Sequence, residues 1–279
     1  MPDPPLVGVV ELRARSDAPV LLDVRWALGD PHGHDHYLAG HIPGAVYVDL
    51  DRELSAPPSP TGGRHPLPDL DALEAAARSW GLRRGAGVIV YDDVGGVSAA
   101  RAWWLLRWGG LRDVRLLDGG LEAWRRAGGP LESGQPDPPA AGDVVLSPGA
   151  MPVLDADGAA RLARDGVLLD ARAGARYRGE EEPVDPRAGH IPGALSAPTV
   201  ENLDDDGAFL AVAELERRFA SLGVRDQVAV GVYCGSGVSA AHEVVALALA
   251  GVDAALYLGS WSAWSSDPRR PAAVGPLPG

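Results

Sequence analysis

VYCGSGVSAAHEVVALALAG, residues 232–251, carries the only cysteine of the 279-residue chain. An apolar, β-like run ends at Cys234. Gly235, Ser236, Gly237 and Val238 follow, and from about Ser239 apolar residues recur at helical spacing. A short apolar strand, a tight glycine loop and a helix make up the repeating unit of a parallel sheet covered by helices. In such sheets ligands collect beyond the carboxyl ends of the strands, where Cys234 is placed.

The chain contains this arrangement twice. VIVYDDVGGVSAARAWWLLRWGG (88–110) is the counterpart of residues 230–251, and VLLDVR…HIPGA in the first half returns as VLLDAR…HIPGA in the second. His41 thus recurs as His190 and the closing Trp124 as Trp264, in the same order. Two copies of this length are a duplicated domain rather than a solenoid. Strands are expected at PVLLDVR, VIVYDD and VRLLD in the first copy. VLLDAR, VAVGVYC and AALYLG match them in the second. LDALEAAARSWGL and VAELERRFASLGV read as helices closed by glycine. The expected fold is α/β: two domains, each a mostly parallel sheet with helices on both faces. The boundaries read as 6–130 for the first domain and 150–268 for the second. Between them lies a Pro/Gly-rich linker at 131–149, and residues 269–279 form an extended or frayed tail.

Composition narrows the function. With 46% apolar and 23% charged residues the chain is an ordinary globular protein, and its formal net charge of −13 argues against nucleic acid or anionic membranes as main partners. One cysteine allows no internal disulfide and no thiolate-rich metal site, in keeping with a reducing, cytoplasmic setting. No secretory leader is read at the start, and no apolar run is long enough to span a membrane.

A thiol in a glycine loop has a specific use. Gly235 and Gly237 let successive amides turn inward into an anion-binding nest, the helix starting near Ser239 adds its positive end, and Ser236 and Ser239 bring hydroxyls. A sulfur at the centre of such a cup is held as the nucleophilic thiolate. The alternative is a small buried hydrophobe. The first copy has Asp92 at this position. A carboxylate cannot carry a sulfane sulfur, so the first copy reads as a non-catalytic partner.

These features resemble the rhodanese superfamily, specifically its tandem-domain sulfurtransferases, over about residues 6–268. The resemblance rests on the paired HIPGA segments, the cysteine opening a glycine loop in the second copy only, its Asp replacement in the first, and the closing Gly119-Gly120…Trp124 and Gly259…Trp264 segments. It implies two rhodanese-like domains, the second catalytic, with Cys234 attacking a donor's outer sulfur and passing it on from a persulfide. The loop CGSGVS resembles that of the mercaptopyruvate-using branch. Residues 234–239 carry no charge, whereas thiosulfate-using members place basic residues there. The expected donor is therefore 3-mercaptopyruvate, with thiosulfate as the alternative. The acceptor is a thioredoxin-like protein, a low-molecular-weight thiol or cyanide.

The resemblance also implies that Arg176 grips the donor carboxylate. Arg178 is the alternative that faces solvent. Val184 aligns with a second family arginine, and Arg187 is the candidate replacement. It further implies that Ser236 works with a histidine, matched to His41, and an aspartate, matched to Asp30 or Asp35; a structural brace is the other reading of His41. The loop residues Gly235, Gly237, Val238 and Ser239 complete the expected site. No cofactor or metal is expected, since His32, His34 and His36 have no acidic or thiol partner at a recognised metal spacing. A phosphatase-like loop would need an arginine that GSGVSAA lacks. A dinucleotide site would need a Gly-x-Gly-x-x-Gly that follows neither first strand. A non-catalytic sulfur carrier remains compatible with the residues.

Overall fold

The computed structural model describes residues 4–279; residues 1–3, the start of the stretch read for a leader, lie outside the described residues. Each copy forms its own wholly parallel sheet of five strands among those residues. In the first copy these are β1 (Leu6–Val7), β2 (Val20–Asp23), β3 (Val46–Tyr47), β4 (Val88–Tyr91) and β5 (Val114–Leu117), in the order β1-β5-β4-β2-β3. In the second they are β6 (Val153–Leu154), β7 (Val167–Asp170), β8 (Leu195–Ser196), β9 (Val230–Tyr233) and β10 (Ala254–Tyr257), in the equivalent order β6-β10-β9-β7-β8. The inner strands β4, β7 and β9 are buried at every position, as unbroken apolar runs covered on both faces must be. The two helices read from their periodicity run Leu70–Ser79 and Val212–Ser221. The two-residue edge strands carry too little pattern to be read from sequence.

The two compact units do not divide the chain at one point. Residues 57–67, from the first half, belong to the unit of the second copy, and residues 204–209 belong to the unit of the first. Polar and proline-rich segments such as PPSPTGGRHPL carry no periodicity from which this exchange is legible.

The repeated motifs organise the cores. Tyr91 Oη accepts from Ile42 N at 3.1 Å, and Tyr233 Oη accepts from Ile191 N at the same distance. Tyr37 and Tyr177 donate to Ala45 O and Ala194 O, at 2.7 and 2.8 Å. Trp124 and Trp264 donate their indole N–H to Pro130 O and Pro271 O. Buried ion pairs Asp23–Arg25 and Asp170–Arg172 close the ends of β2 and β7, each arginine also reaching the carbonyl before a HIPGA histidine.

Two segments expected to be loose are docked. Within the linker, Val144 and Leu146 are buried, and Glu132 forms a two-hydrogen-bond bridge with His41. The tail does the same in the second unit: Ala273 bridges His190, and Pro278 O accepts from Gly193 N at 2.6 Å. Both segments satisfy backbone groups that the HIPGA turn would otherwise leave without partners.

Candidate active site

Cys234 follows the last residue of β9, and its side chain is 1% exposed. The Gly237 amide donates to its Sγ at 3.0 Å, in a turn that puts Gly237 at φ +86°. That conformation suits glycine and places the amide inward. Cys234 N–H donates to Ser260 Oγ at 3.1 Å, Trp261 N–H to Cys234 O, and Ser262 N–H to Gly235 O. Ser260 itself lies at φ +52°, an unfavourable conformation for a serine, retained where its hydroxyl fixes the backbone under the sulfur. The first copy has Gly120 there. Val238 is buried, and the half-buried Ser239 opens the helix Ser239–Leu249.

The first copy shows what this loop does to an anion. The Asp92 carboxylate accepts from four amides, Val94, Gly96, Ser98 and Ala99, at 2.8–2.9 Å, at the start of the helix Ala99–Trp108. Burial raises its pKa, and the four amides oppose the rise. The backbone cup expected around the thiol thus exists in the first copy with its own carboxylate inside, which leaves no room for a transferable group.

Ser236 Oγ is hydrogen-bonded to His65 Nδ1 at 2.7 Å, both side chains being buried. The histidine matched to this role in the sequence is His41; the imidazole that contacts Ser236 is that of His65. His41 hydrogen-bonds Tyr37 O through Nδ1 and stacks on the Tyr37 ring at 4.0 Å. His190 repeats the arrangement on Tyr177, with 2.8 Å to the carbonyl and 3.8 Å between rings. The pose is the same in the copy that holds the thiol and in the copy that lacks it, as the brace reading of His41 expects. Asp30, in the first unit, accepts from His32 N and pairs with His36. Asp35 pairs with His32. His65 was missed because RHP sits in a loop with no apolar pattern, in the half of the sequence that lacks the cysteine.

Two guanidiniums face the loop. A Cβ built on Gly235 would meet Arg64 Nη2 at 2.9 Å and Arg176 Nη1 at 3.3 Å, so a larger residue there would press on both guanidiniums. Arg176 pairs with Glu182 at 2.5 Å and Asp185 at 3.1 Å, and Arg64 pairs with Asp185. Arg64 Nε and Arg176 Nε are buried without a hydrogen-bond partner, and Arg64 Nη2 and Arg176 Nη1 are the atoms nearest Gly235. Burial raises the Asp185 pKa; the guanidinium of Arg64 lowers it, Glu182 raises it, and Arg176 and Arg172 lower it further. Arg187, the candidate replacement for the second arginine, is bound to backbone carbonyls. It donates to Ser265 O, Trp264 O, Asp267 O and Arg270 O, closing the helix Ser260–Ser266. Arg178 is bound to Glu180, and Val184 is 39% exposed. A cavity of about 520 Å³ adjoins this cluster, lined by Pro58, Pro60, Arg64, Val184, Asp185 and Ser262 among others.

Among the described residues no group of three or more His, Cys, Asp or Glu side chains is placed to hold a metal ion, and no helix is long and apolar enough to cross a membrane. The expected histidine cluster is dispersed: His32 and His36 pair with acids, while His34 packs against Tyr47.

A family model described as a rhodanese-like domain matches residues 9–127 and again 155–267. The chain is 48% identical over 274 residues to a Mycobacterium tuberculosis protein provisionally named thiosulfate sulfurtransferase SseB, covering 97% of this chain and 95% of that one. It is 49% identical over 282 residues to a Pseudomonas aeruginosa protein provisionally named 3-mercaptopyruvate sulfurtransferase, covering 97% and 98%. The crystal structure of SseA from Escherichia coli, described with the rhodanese fold of the 3-mercaptopyruvate sulfotransferases, superposes with a TM-score of 0.81 at 35% identity, covering 92% of this chain and 99% of that one.

Proposed function

Since the chain belongs to the rhodanese-like domain family, we propose that it is a sulfurtransferase that takes sulfur from 3-mercaptopyruvate onto Cys234 and hands it to a thiophilic acceptor. The Cys234 thiolate attacks the donor sulfur and the donor C–S bond breaks. The bonding pair departs with carbon as the pyruvate enolate, and Cys234 is left as a persulfide. Arg176, joined by Arg64, holds the donor carboxylate, since planar forks match its two oxygens. The amides of the 234–239 loop stabilise negative charge on sulfur.

The observation that carries the choice of donor is the Ser236–His65 hydrogen bond on the loop of the nucleophile. A carbon leaving group needs a proton to become pyruvate, and a hydroxyl backed by an imidazole delivers one. Sulfite, the leaving group of thiosulfate, departs as a stable anion and needs none. Thiosulfate is the second reading, favoured by the two guanidiniums near the sulfur and by the name of the mycobacterial relative.

The acceptor is a thioredoxin-like protein, a small thiol or cyanide, and a lone thiol that must return to its reduced state suits the cytoplasm. Paired steady-state kinetics test the reading. We expect pyruvate release with a higher kcat/KM than sulfite release from thiosulfate, and donor exposure should add the mass of one sulfur atom to wild type but not to Cys234→Ser. A higher kcat/KM with thiosulfate overturns the donor. Sulfur loading without turnover would make the protein a carrier.

A further inference from the structure

We infer that Asp185, assisted by Glu182, is a specificity-determining residue. By balancing the charge of the Arg64–Arg176 pair, it leaves a site that suits a donor with one negative charge and disfavours a donor with two. The inference deepens the sulfurtransferase reading and rests on these arginines being the donor's anchor.

Two arginines beside a nucleophile would by themselves make a receptor for a dianion. Here they are already matched. Asp185 contacts both guanidiniums, one through each carboxylate oxygen. Glu182 contacts Arg176 at 2.5 Å and lies 3.4 Å from Arg172. Arg172 is spent on Asp170 and on Gly189 O. Three cations therefore face three anions, Asp170, Glu182 and Asp185, and the local charge is zero.

The acids are fixed in place. Their side chains are only 3–4% exposed, and Glu182 Oε1 accepts from the amides of Val184 and Asp185. Burial raises the Asp185 pKa, and its contacts with the guanidiniums of Arg64 and Arg176 oppose the rise. Apart from the Cys234 thiolate the 234–239 loop adds no charge, and the whole chain contributes a field of formal charge −13. The guanidinium atoms nearest Gly235 are Arg64 Nη2 and Arg176 Nη1, and an arriving carboxylate would be bound by hydrogen bonds from these without a net positive site. The second charge of a dianion finds no counter-charge in this enclosed place and bears a desolvation penalty.

The experiment compares wild type, Asp185→Asn, Asp185→Glu and Glu182→Gln at fixed ionic strength. kcat/KM is measured for mercaptopyruvate and thiosulfate, and inhibition constants for sulfate and pyruvate. Removing one negative charge favours the dianion by one extra unit of interaction. Asp185→Asn is expected to raise the thiosulfate-to-mercaptopyruvate ratio of kcat/KM about tenfold, chiefly through the thiosulfate KM. Sulfate inhibition should tighten more than pyruvate inhibition, and Asp185→Glu should keep the wild-type ratio. Glu182→Gln should move the ratio the same way and serves if Asp185→Asn does not fold. A parallel fall with both donors at unchanged ratio, or unchanged sulfate inhibition, overturns the inference and makes Asp185 a purely structural support. A wild-type preference for thiosulfate sinks the donor assignment alone, because the change of ratio is read whichever donor wild type favours.

Discussion

Position 234 shows how one residue type decides the use of a backbone. The same strand–loop–helix carries a carboxylate at Asp92, with four amides on it, and a thiol at Cys234, with the Gly237 amide on it. The candidate nucleophile is legible in the sequence because a lone cysteine opening a glycine loop is locally encoded. Its histidine partner is not, because the Ser236–His65 contact joins positions 171 apart along the chain. The structure also separates two histidines that composition treats alike. His65→Ala is expected to lower kcat with mercaptopyruvate by about 10²-fold while leaving thiosulfate turnover nearly intact, since only the carbon leaving group takes a proton. His41→Ala is expected to leave the donor ratio unchanged and to lower the melting temperature, as His190→Ala should, because each stacks in a buried brace. Kinetics with both donors beside thermal melts check this pair. A loss of turnover in a fully stable His41→Ala protein would return the catalytic role to His41.

The helix Ser239–Leu249 is almost wholly buried and carries two polar residues that no strand–helix pattern explains. His242 Nδ1 lies 2.7 Å from Thr199 Oγ1; Glu243 accepts from Asn202 Nδ2 at 2.6 Å and lies 3.5 Å from Arg218. Burial pushes the Glu243 pKa up from 4.5 to about 7, against the pull of Arg218, Asn202 and Thr199, and Glu201 adds to the rise. The folded protein therefore keeps a proton that the unfolded chain has lost. That contribution to stability is complete below about pH 4.5 and disappears as the pH rises through about 7. It amounts to something on the order of 3 kcal/mol. Urea unfolding across this range should show wild type losing stability toward neutral pH more steeply than Glu243→Gln. Equal slopes in the two proteins would show that Glu243 is ionised in the fold throughout. The helix itself was readable from its apolar run; the acid inside it was not, because its partners come from Thr199–Asn202 and the helix Val212–Ser221.

At the scale of the molecule each unit closes its HIPGA turn with a segment that the sequence marks as loose. The tail satisfies His190 and Gly193, and Arg187 ties Trp264, Ser265, Asp267 and Arg270 together beneath it. Deleting residues 269–279 removes the partners of His190 and Gly193 and the Arg270 carbonyl on Arg187, and should lower the melting temperature of the second unit by roughly 5 °C or more. Scanning calorimetry would detect this, and an unchanged transition would show the tail to be dispensable. The sequence by itself determined the duplication, the parallel α/β architecture of each copy, and which copy carries the lone cysteine and which an aspartate in its place. Those properties are written in apolar periodicity, glycine loops and the identity of single residues, all of which act over one strand, loop and helix. Only the tertiary structure decided that His65 rather than His41 meets Ser236, that Arg64 rather than Arg187 stands beside Arg176, and that Glu182 and Asp185 balance them. Those pairings depend on residues 57–67 folding with the second unit. That placement is set by packing and hydrogen bonds between segments more than a hundred residues apart, and no local pattern in the chain records it.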